Sequence, residues 1–256
     1  MLLMIDVGNT NITIGIIENK EVKASFRLST NSQRTEDEIG MSIINFFLIN
    51  NIDYKLVKGS VISCVVPKLL HNLKNGIKRY FKVDPIIVGP GIKTGINLHF
   101  ENPKEVGADR IVNVVAANKL YQKDCLVIDF GTATTFDYIS VNGSFEYTII
   151  TPGLETALKA MVSNAAKLPD IEITKPKSIL TKNTISGMQA GLVYGYLGQV
   201  EYIISQIKKE LNKDFFVVCT GGLGRIIANN TSMIDVFNEN LAYLGMEIIY
   251  NKNMEK

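Results

Sequence analysis

Residues 2–17 read LLMIDVGNTNITIGII: an apolar run that ends at Asp6, a short polar turn, and a second apolar run. This order predicts a β-hairpin with a carboxylate at the end of its first strand. The turn brings backbone N–H groups close to an anion, and Mg²⁺ would mediate between the carboxylate and a phosphate. Because Asp, Asn and Gly are also ordinary turn formers, the segment alone leaves a phosphate site and a plain hairpin turn both open.

The composition is that of an ordinary globular protein, with 256 residues, 46% of them hydrophobic, and a net charge of +2. This length suits one large domain or two modest ones. No dense Lys/Arg block occurs, so an extended nucleic-acid surface is not expected. No apolar run approaches the length of a membrane span, and Asp6 interrupts the N-terminus too early for a secretory signal. We therefore expect a cytoplasmic protein with neither a nucleic-acid partner nor a membrane partner.

The cysteines and histidines point away from several kinds of chemistry. Cys64, Cys125 and Cys219 lie in or beside apolar segments without metal-ligand spacing, which indicates reduced thiols in the core. Only His71 and His99 occur, so neither a histidine-based zinc site nor a Ser-His-Asp triad is expected.

The sequence CLVIDFGT at 125–132 repeats the form of LLMIDVGN at 2–9. Asp129 follows Asp6 by 123 residues, and the order strand-strand-strand-helix-strand-helix occurs after each start. Two short Asp-x-Gly turns can match by chance, but a duplicated α/β domain also explains the matching downstream order. We therefore expect domains at 1–122 and 123–256, with both turns at one ligand cleft.

Two further stretches indicate function or contact. The connection from Gly89 to about Val106 is long for a compact domain, and such loops are more often functional than idle. The predicted helix 185–211 carries Gly187, Gly191, Gly195 and Gly198, although glycine disfavours helix. This spacing indicates a closely packed face, and leaves open whether another subunit or the same chain covers it.

The chain resembles the type III pantothenate kinase family in four motifs that occur in the family's order. They are Asp6-x-Gly8-Asn9-Thr10, Gly107-Ala108-Asp109-Arg110, Asp129-x-Gly131-Thr132-Ala133-Thr134-Thr135 and Thr220-Gly221-Gly222. Shorter matches are Pro152-Gly153-Leu154, Lys167-Leu168-Pro169 and Asn183-Thr184. The family belongs to the acetate and sugar kinase, Hsp70 and actin superfamily. The resemblance therefore implies an α/β fold of duplicated actin-like (ribonuclease H-like) domains with a ligand cleft between them.

The same resemblance implies an activity and its cofactors. The chain would phosphorylate pantothenate with ATP to 4'-phosphopantothenate, the first step of coenzyme A biosynthesis, as a cytoplasmic homodimer. Mg²⁺ and a monovalent cation, K⁺ or NH₄⁺, would be required. The alternatives are a catalytically idle regulatory or accessory protein of the same fold, another small-alcohol kinase, or a polyphosphate hydrolase of the superfamily.

The resemblance also assigns roles to individual residues. Asp109 would be the general base facing the primary hydroxyl of pantothenate, and Asp129 would bind the monovalent cation. Asp6 would lie near Mg²⁺. The ATP-binding residues would be Asp6, Val7, Gly8, Asn9, Thr10, Asn11, Ile12, Thr13 and Thr132. The pantothenate-binding residues would be Phe100, Gly107, Ala108, Asp109, Arg110 and Thr184.

For several of these residues an ordinary structural role remains open. The alternative for Asp109-Arg110 is a helix cap with a neighbouring surface ion pair, and the alternative for Thr184 is an N-cap of the long helix. Asp129 is also a turn carboxylate hydrogen-bonded to a nearby threonine. Phe100 stands where the family usually has tyrosine, so a phenolic hydrogen bond to the substrate would be lost. Tyr147 falls where a glycine is frequent.

Overall fold

The computed structural model describes residues 1–255, which form two compact units. The first comprises residues 1–120 together with 240–255, and the second comprises residues 121–239. No helix within residues 1–255 is long and apolar enough to cross a membrane.

The elements up to residue 121 begin with three antiparallel strands. In chain order they are β1 (Leu2–Val7), β2 (Asn11–Glu18), β3 (Glu21–Ser29), α1 (Glu36–Ile49), β4 (Gly59–Cys64), α2 (Pro67–Phe81), β5 (Ile86–Ile87), β6 (Asn97–Leu98) and α3 (Ala108–Tyr121). Short 3-10 helices lie at Tyr54–Leu56 and Pro103–Glu105. The connection between Gly89 and Val106 is therefore mostly irregular, as predicted.

The remaining elements begin again with three antiparallel strands. They are β7 (Cys125–Phe130), β8 (Ala133–Ile139), β9 (Ser144–Pro152), α4 (Leu154–Asn164), α5 (Thr184–Leu211), β10 (Phe216–Thr220), α6 (Gly224–Ala228), β11 (Val236–Phe237) and α7 (Leu241–Met254). No helix or strand occurs in residues 165–183.

The strand order of the two sheets confirms the duplication. The first sheet runs β3-β2-β1-β4-β5, and the strands of the second unit run β9-β8-β7-β10-β11. In each unit the Asp-bearing strand pairs antiparallel with the next strand and parallel with the strand that follows the first helices. Asp6 lies opposite Thr13, and Asp129 lies opposite Thr135. The fold is thus the predicted α/β fold with two related sheets.

The first sheet is buried on both faces, which explains the unbroken apolar run in β1. Leu3, Ile5 and Val7 pack in one core cluster with residues of α1 and α2. Met4 points to the opposite face, where α3 and α7 supply Val112 and other apolar side chains. Each face therefore has its own core, and Asp6 belongs to the face that α3 and α7 cover.

Helix α7 accounts for the difference between the observed units and the predicted ranges. The sequence prediction put residues 240–256 in the second domain, whereas α7 packs with Met4 and Val61 of the first unit. Gly245 allows this contact, because a Cβ there would overlap the Val112 carbonyl. The sequence gives no local signal that the last helix returns to the first sheet. The predicted division at residue 122 stays a prediction about separately folding domains.

The helix ends follow local sequence signals, with one correction. Thr35 and Glu38 form a capping box at the start of α1. Pro67 is the first residue of α2 as well as the stop after β4. The N-cap of α5 is Asn183, whose side chain accepts from the Ser186 N–H at 2.9 Å. The reading of Thr184 as the cap is therefore wrong, because Thr184 is the first helical residue.

Candidate active site

A polar row crosses the first sheet at the end of β1. The strand register places Ser63, Asp6, Thr13 and Arg27 side by side on β4, β1, β2 and β3. Paired residues of neighbouring strands project from the same face, so this row lies on the face covered by α3 and α7. The row lies next to the hairpin turn, and it contains a carboxylate, two hydroxyls and a guanidinium.

The hairpin turn is held by hydrogen bonds to its own strand and to the loop after β3. The Gly8 N–H donates to the Asn11 carbonyl at 2.9 Å. The Gly8 carbonyl accepts from the Thr30 hydroxyl at 2.7 Å, and the Thr10 carbonyl accepts from the Thr30 N–H at 2.9 Å. Asn9, Thr10 and Asn11 are exposed at the tip. The turn therefore presents short polar side chains on a fixed backbone.

Two of the predicted ATP-binding residues have side chains that cannot reach a ligand. Val7 and Ile12 are fully buried in the core cluster under the hairpin. Only their backbone groups are left for a nucleotide, and these groups already belong to the ladder between β1 and β2.

Asp109 lies in the first turn of α3, two residues after Gly107. Its carboxylate occupies the space that a side chain at position 107 would take. Its Oδ1 accepts the Arg110 N–H at 2.8 Å. A Cβ on Gly107 would overlap that same oxygen, so any larger residue would push the carboxylate aside. Ala108 is buried in the core that α3 shares with the sheet, while Asp109 and Arg110 are half-buried. The predicted segment Gly107 to Arg110 thus fixes one carboxylate at a helix N-terminus.

The structure brings Asp6 and Asp109 into electrostatic contact. Burial, followed by the charge of Asp109, raises the pKa of Asp6 to about 7. The Ser63 hydroxyl lies close enough to lower this pKa in part, but it does not reach hydrogen-bond geometry, and Asp6 Oδ1 is buried without a hydrogen-bond partner. An acidic pair with an unpartnered oxygen is a site that a cation stabilises.

Two carboxylates, Asp6 and Asp109, are too few to bind a metal ion with protein ligands alone. Within residues 1–255 there is no group of three or more His, Cys, Asp or Glu side chains placed to bind one ion. Mg²⁺ differs from zinc in keeping several waters and in binding through one or two carboxylates plus substrate phosphates. The donor set around Asp6 therefore fits Mg²⁺ brought in with a nucleotide.

In the second unit, Asp129 occupies the equivalent turn. The Gly131 N–H donates to the Ala133 carbonyl at 3.1 Å, as Gly8 does in the first hairpin. Gly221 lies beside this turn with φ +95°, and a Cβ there would lie 2.7 Å from Asp129 Oδ1 and 2.5 Å from the Phe130 carbonyl oxygen. The Thr220-Gly221-Gly222 turn after β10 therefore packs directly on the Asp129 turn. Asp129 Oδ1 and the Phe130 carbonyl oxygen both lie next to Gly221.

Thr132 is exposed, and its backbone anchors the start of α4. Its carbonyl accepts from the Gly153 N–H at 3.0 Å and from the Thr156 hydroxyl at 2.6 Å. A Cβ on Gly153 would overlap the Gly131 carbonyl. The Pro152-Gly153-Leu154 segment is thus needed for close packing against the second hairpin turn.

Thr184 opens a groove of about 520 Å³ along α4 and α5. The groove is lined by Ala157, Met161, Thr184, Gly187, Met188, Gly191 and Leu192. Thr184 and Gly191 are exposed, and the other lining residues are half-buried or buried. The lining is mostly apolar, so Thr184 supplies its polar side chain at one end.

Phe100 is half-buried between β6 and the 3-10 helix at Pro103–Glu105. Its contact with a substrate stays a prediction. Tyr147 is 52% exposed on β9.

Three residues near the first hairpin turn were not predicted from the sequence. They are Ser63, Arg27 and Tyr243, which surround Asp6 or Thr13 in the folded unit. The signal that finds them is strand register, which a single sequence does not give.

Solved structures share this fold over nearly the whole chain. A proposed transcriptional activator of the Baf family from Campylobacter jejuni is 20% identical, with a TM-score of 0.61 and 98% of each chain covered. A proposed 2-dehydro-3-deoxygalactonokinase from Sinorhizobium meliloti is 11% identical, with a TM-score of 0.61 over 100% of this chain and 98% of that one. MreB 5 of Spiroplasma citri, bound to AMPPNP, is 11% identical, with a TM-score of 0.56 over 99% and 98%. These likenesses show the fold.

The two related sheets and these likenesses show that the chain has a fold of the actin-like α/β class. Within this class, the model of the type III pantothenate kinase family matches residues 2–206, and the chain belongs to that family. It is accordingly a phosphotransferase of coenzyme A biosynthesis that uses ATP.

Proposed function

We propose that the chain transfers the γ-phosphoryl group of ATP to the primary hydroxyl of pantothenate, with Asp109 as the general base. The observation that carries this proposal is the acidic pair of Asp6 and Asp109 beside the hairpin turn. One carboxylate suits a metal-bound nucleotide, and the other suits the acceptor alcohol. A single turn with one acidic residue would offer no such division of roles.

The position of Asp109 suits a base that acts late in phosphoryl transfer. The helix N-terminus and the Arg110 N–H both favour an ionised carboxylate, which makes a weak base. Phosphoryl transfer has a loose transition state, so little proton removal is needed before the P–O bond forms. Asp109 orients the hydroxyl, the alcohol oxygen attacks the γ-phosphorus, and Asp109 takes the proton as ADP leaves.

Asp6 would hold Mg²⁺, which neutralises charge on the phosphate oxygens when it is bound. The exposed side chains of Asn9, Thr10 and Asn11 and the turn backbone would bind the phosphates. Thr132 would contact ATP from the second hairpin turn. Gly107, Ala108, Arg110 and Phe100 would surround pantothenate.

Asp129 would bind the monovalent cation. Its Oδ1 and the Phe130 carbonyl oxygen both border Gly221, and carbonyl oxygens are ligands that K⁺ accepts in place of water. NH₄⁺, which donates hydrogen bonds to the same oxygens, would replace it.

A homodimer would form through α5. Its outer stripe contains Gly191, Gly195 and Gly198. Apart from the backbone of the helix itself, no heavy atom of the described residues lies within 4 Å of a Cβ position at any of these three glycines. Tyr202, further along the helix, is 66% exposed. A second copy of α5 could approach this stripe closely, and Thr184 at its start would then reach pantothenate across or beside this interface.

The test is product formation from ATP and pantothenate in K⁺, NH₄⁺ and Na⁺ buffers, followed by mass spectrometry. We expect phosphopantothenate with K⁺ or NH₄⁺, and near-complete loss in Asp109→Asn with the fold intact. Asp84→Asn is the matched control, because Asp84 is an exposed carboxylate that forms a surface ion pair with Lys78 at 3.0 Å. Asp129→Asn should lose the response to K⁺.

Five results would contradict parts of the proposal. No turnover above background in any cation would overturn the reaction. A wild-type rate in Asp109→Asn would remove Asp109 as the base. Phosphorylation of a different alcohol in an acceptor panel would indicate another small-alcohol kinase, and phosphate release from polyphosphate would indicate a hydrolase. ATP binding without phosphorylation of any acceptor would favour the regulatory alternative.

A further inference from the structure

Two tyrosines of helix α7 pack on glycines of the first sheet. Tyr243 covers Gly15 on β2, where a Cβ would lie 2.9 Å from the ring, and Tyr250 covers Gly59 on β4 in the same way. The two tyrosines are seven residues apart, so they project from one face of the helix. Each ring fills the space that a side chain on its glycine would take.

The two tyrosines differ in what lies around their hydroxyl groups. Gly59 pairs with Leu2 at the start of β1, whereas Gly15 is two residues from Thr13, which lies opposite Asp6 at the end of β1. Tyr243 is 8% exposed. Burial raises its pKa to about 12, and Thr13, Asp6 and Arg27 also act on it. The Tyr243 hydroxyl therefore faces the polar row that contains Asp6.

We propose that Tyr243 is a positioning residue for the nucleotide hairpin and acts through Thr13. Its hydroxyl pairs with the Thr13 hydroxyl, and Thr13 lies directly opposite Asp6 on β1. This pairing holds Thr13, and with it the end of the hairpin beside Asp6, in the arrangement that accepts Mg-ATP. The inference rests on the proposed function, because it takes the hairpin to be the ATP site.

Residue 243 lies outside residues 2–206, over which the family model matches. The motifs that carry the family resemblance therefore do not include it. Its role follows from the packing of α7 on β2 and from the register of β1 with β2.

Removal of the Tyr243 hydroxyl distinguishes a positioning role from a packing role. Tyr243→Phe keeps the ring on Gly15 and removes only the hydroxyl. Tyr250→Phe is the matched control, because it makes the same change on the same helix at the other end of the strands. Thr13→Val removes the other member of the pair, and the double variant tests whether the two changes act as one.

The experiment measures Mg-ATP binding by calorimetry, KM for each substrate, and thermal unfolding of all variants. We expect Tyr243→Phe to weaken Mg-ATP binding and to raise its KM by about fivefold or more, as for the loss of one hydrogen bond. KM for pantothenate should change less than twofold. Tyr250→Phe should match wild type, and Tyr243→Phe combined with Thr13→Val should be no weaker than Thr13→Val alone.

Unchanged Mg-ATP binding in Tyr243→Phe, with binding in wild type, would overturn this inference and leave the proposed function standing. Equal losses in Tyr243→Phe and Tyr250→Phe would also overturn it, because they would indicate a general packing effect. If wild type binds no Mg-ATP, both the proposed function and this inference fail.

Discussion

Asp6 at the end of β1 and Asp109 in the first turn of α3 lie close enough for the charge of one to raise the pKa of the other. The two residues are far apart in the sequence, one in the segment Asp6-x-Gly8-Asn9-Thr10 and the other in Gly107-Ala108-Asp109-Arg110. Like charges held together cost free energy unless a cation or a proton intervenes. The pair is therefore destabilising in the ligand-free protein and favourable to a metal-bound nucleotide.

The first prediction concerns stability and pH. The pKa of Asp6 is about 7 in the folded chain and about 3.8 in an unperturbed aspartate. Between these values the folded chain holds more protons than the unfolded chain, so the free energy of unfolding falls as pH rises from about 4 to about 7. The loss is at most about 1.4 kcal/mol for each pH unit.

Urea denaturation at a series of pH values checks this prediction. Asp6→Asn should flatten this part of the profile, and it should be more stable than wild type at pH 8 while losing Mg-ATP binding. Asp84→Asn, which changes an exposed carboxylate, serves as the control. A wild-type profile in Asp6→Asn would show that other groups cause the pH dependence.

The second prediction concerns the glycine before Asp109. Gly107→Ala introduces a Cβ where Asp109 Oδ1 now lies, so the carboxylate must turn away. We expect turnover to fall by tenfold or more, since a misplaced base loses its reach to the alcohol. Steady-state rates measure this, and circular dichroism checks the fold. Gly89→Ala is the control, because no atom lies within 4 Å of its Cβ position; equal rates in the two variants would contradict the prediction.

The third prediction concerns the glycine turn of the second unit. Gly221 has φ +95°, and a Cβ there would lie 2.5 Å from the Phe130 carbonyl oxygen. Gly221→Ala should therefore lower the free energy of unfolding by roughly 2 kcal/mol or more, through strain and crowding together. Gly131→Ala, where the nearest atom lies at 3.4 Å, should be tolerated. Denaturation midpoints that coincide for the two variants would show that the turn adapts.

The fourth prediction concerns the stripe on α5. Apart from the backbone of α5 itself, no heavy atom of residues 1–255 lies within 4 Å of a Cβ at residue 195, so we expect the folded chain to accept Gly195→Leu. If α5 is the dimer interface, the leucine keeps the two backbones apart, and analytical ultracentrifugation should show a monomer. Lys68→Leu, at an exposed position on α2, should leave the mass unchanged. A Gly195→Leu protein with the mass of wild type would place the interface elsewhere.

Much of the fold was predictable because it depends on local pattern and on the repeat. The matching segments at 2–9 and 125–132 indicated two sheets of one design, and the strand orders agree. Thr35 and Glu38 defined the start of α1 through their spacing alone. The return of α7 to the first sheet was not predictable, because it depends on packing against Met4 and Val112 far away in the sequence.

The candidate site was predictable only in part, for the same reason. The motifs indicated Asp6 and Asp109, but their mutual approach depends on how α3 lies on the sheet. Thr13 was included as part of a motif, whereas Arg27 and Ser63 were not, although the strand register aligns all three. Tyr243 has no motif and emerges only from its contact with Gly15.

The membership of α7 in the first unit has a consequence for biosynthesis of the protein. Residues 121–239 leave the ribosome before α7 does, so the second unit has all its segments while one face of the first sheet still lacks its last helix. Met4 and Val61 stay partly uncovered during that interval. A nascent chain stalled before residue 240 would therefore expose this apolar face to chaperones, and would lack the ring that rests on Gly15.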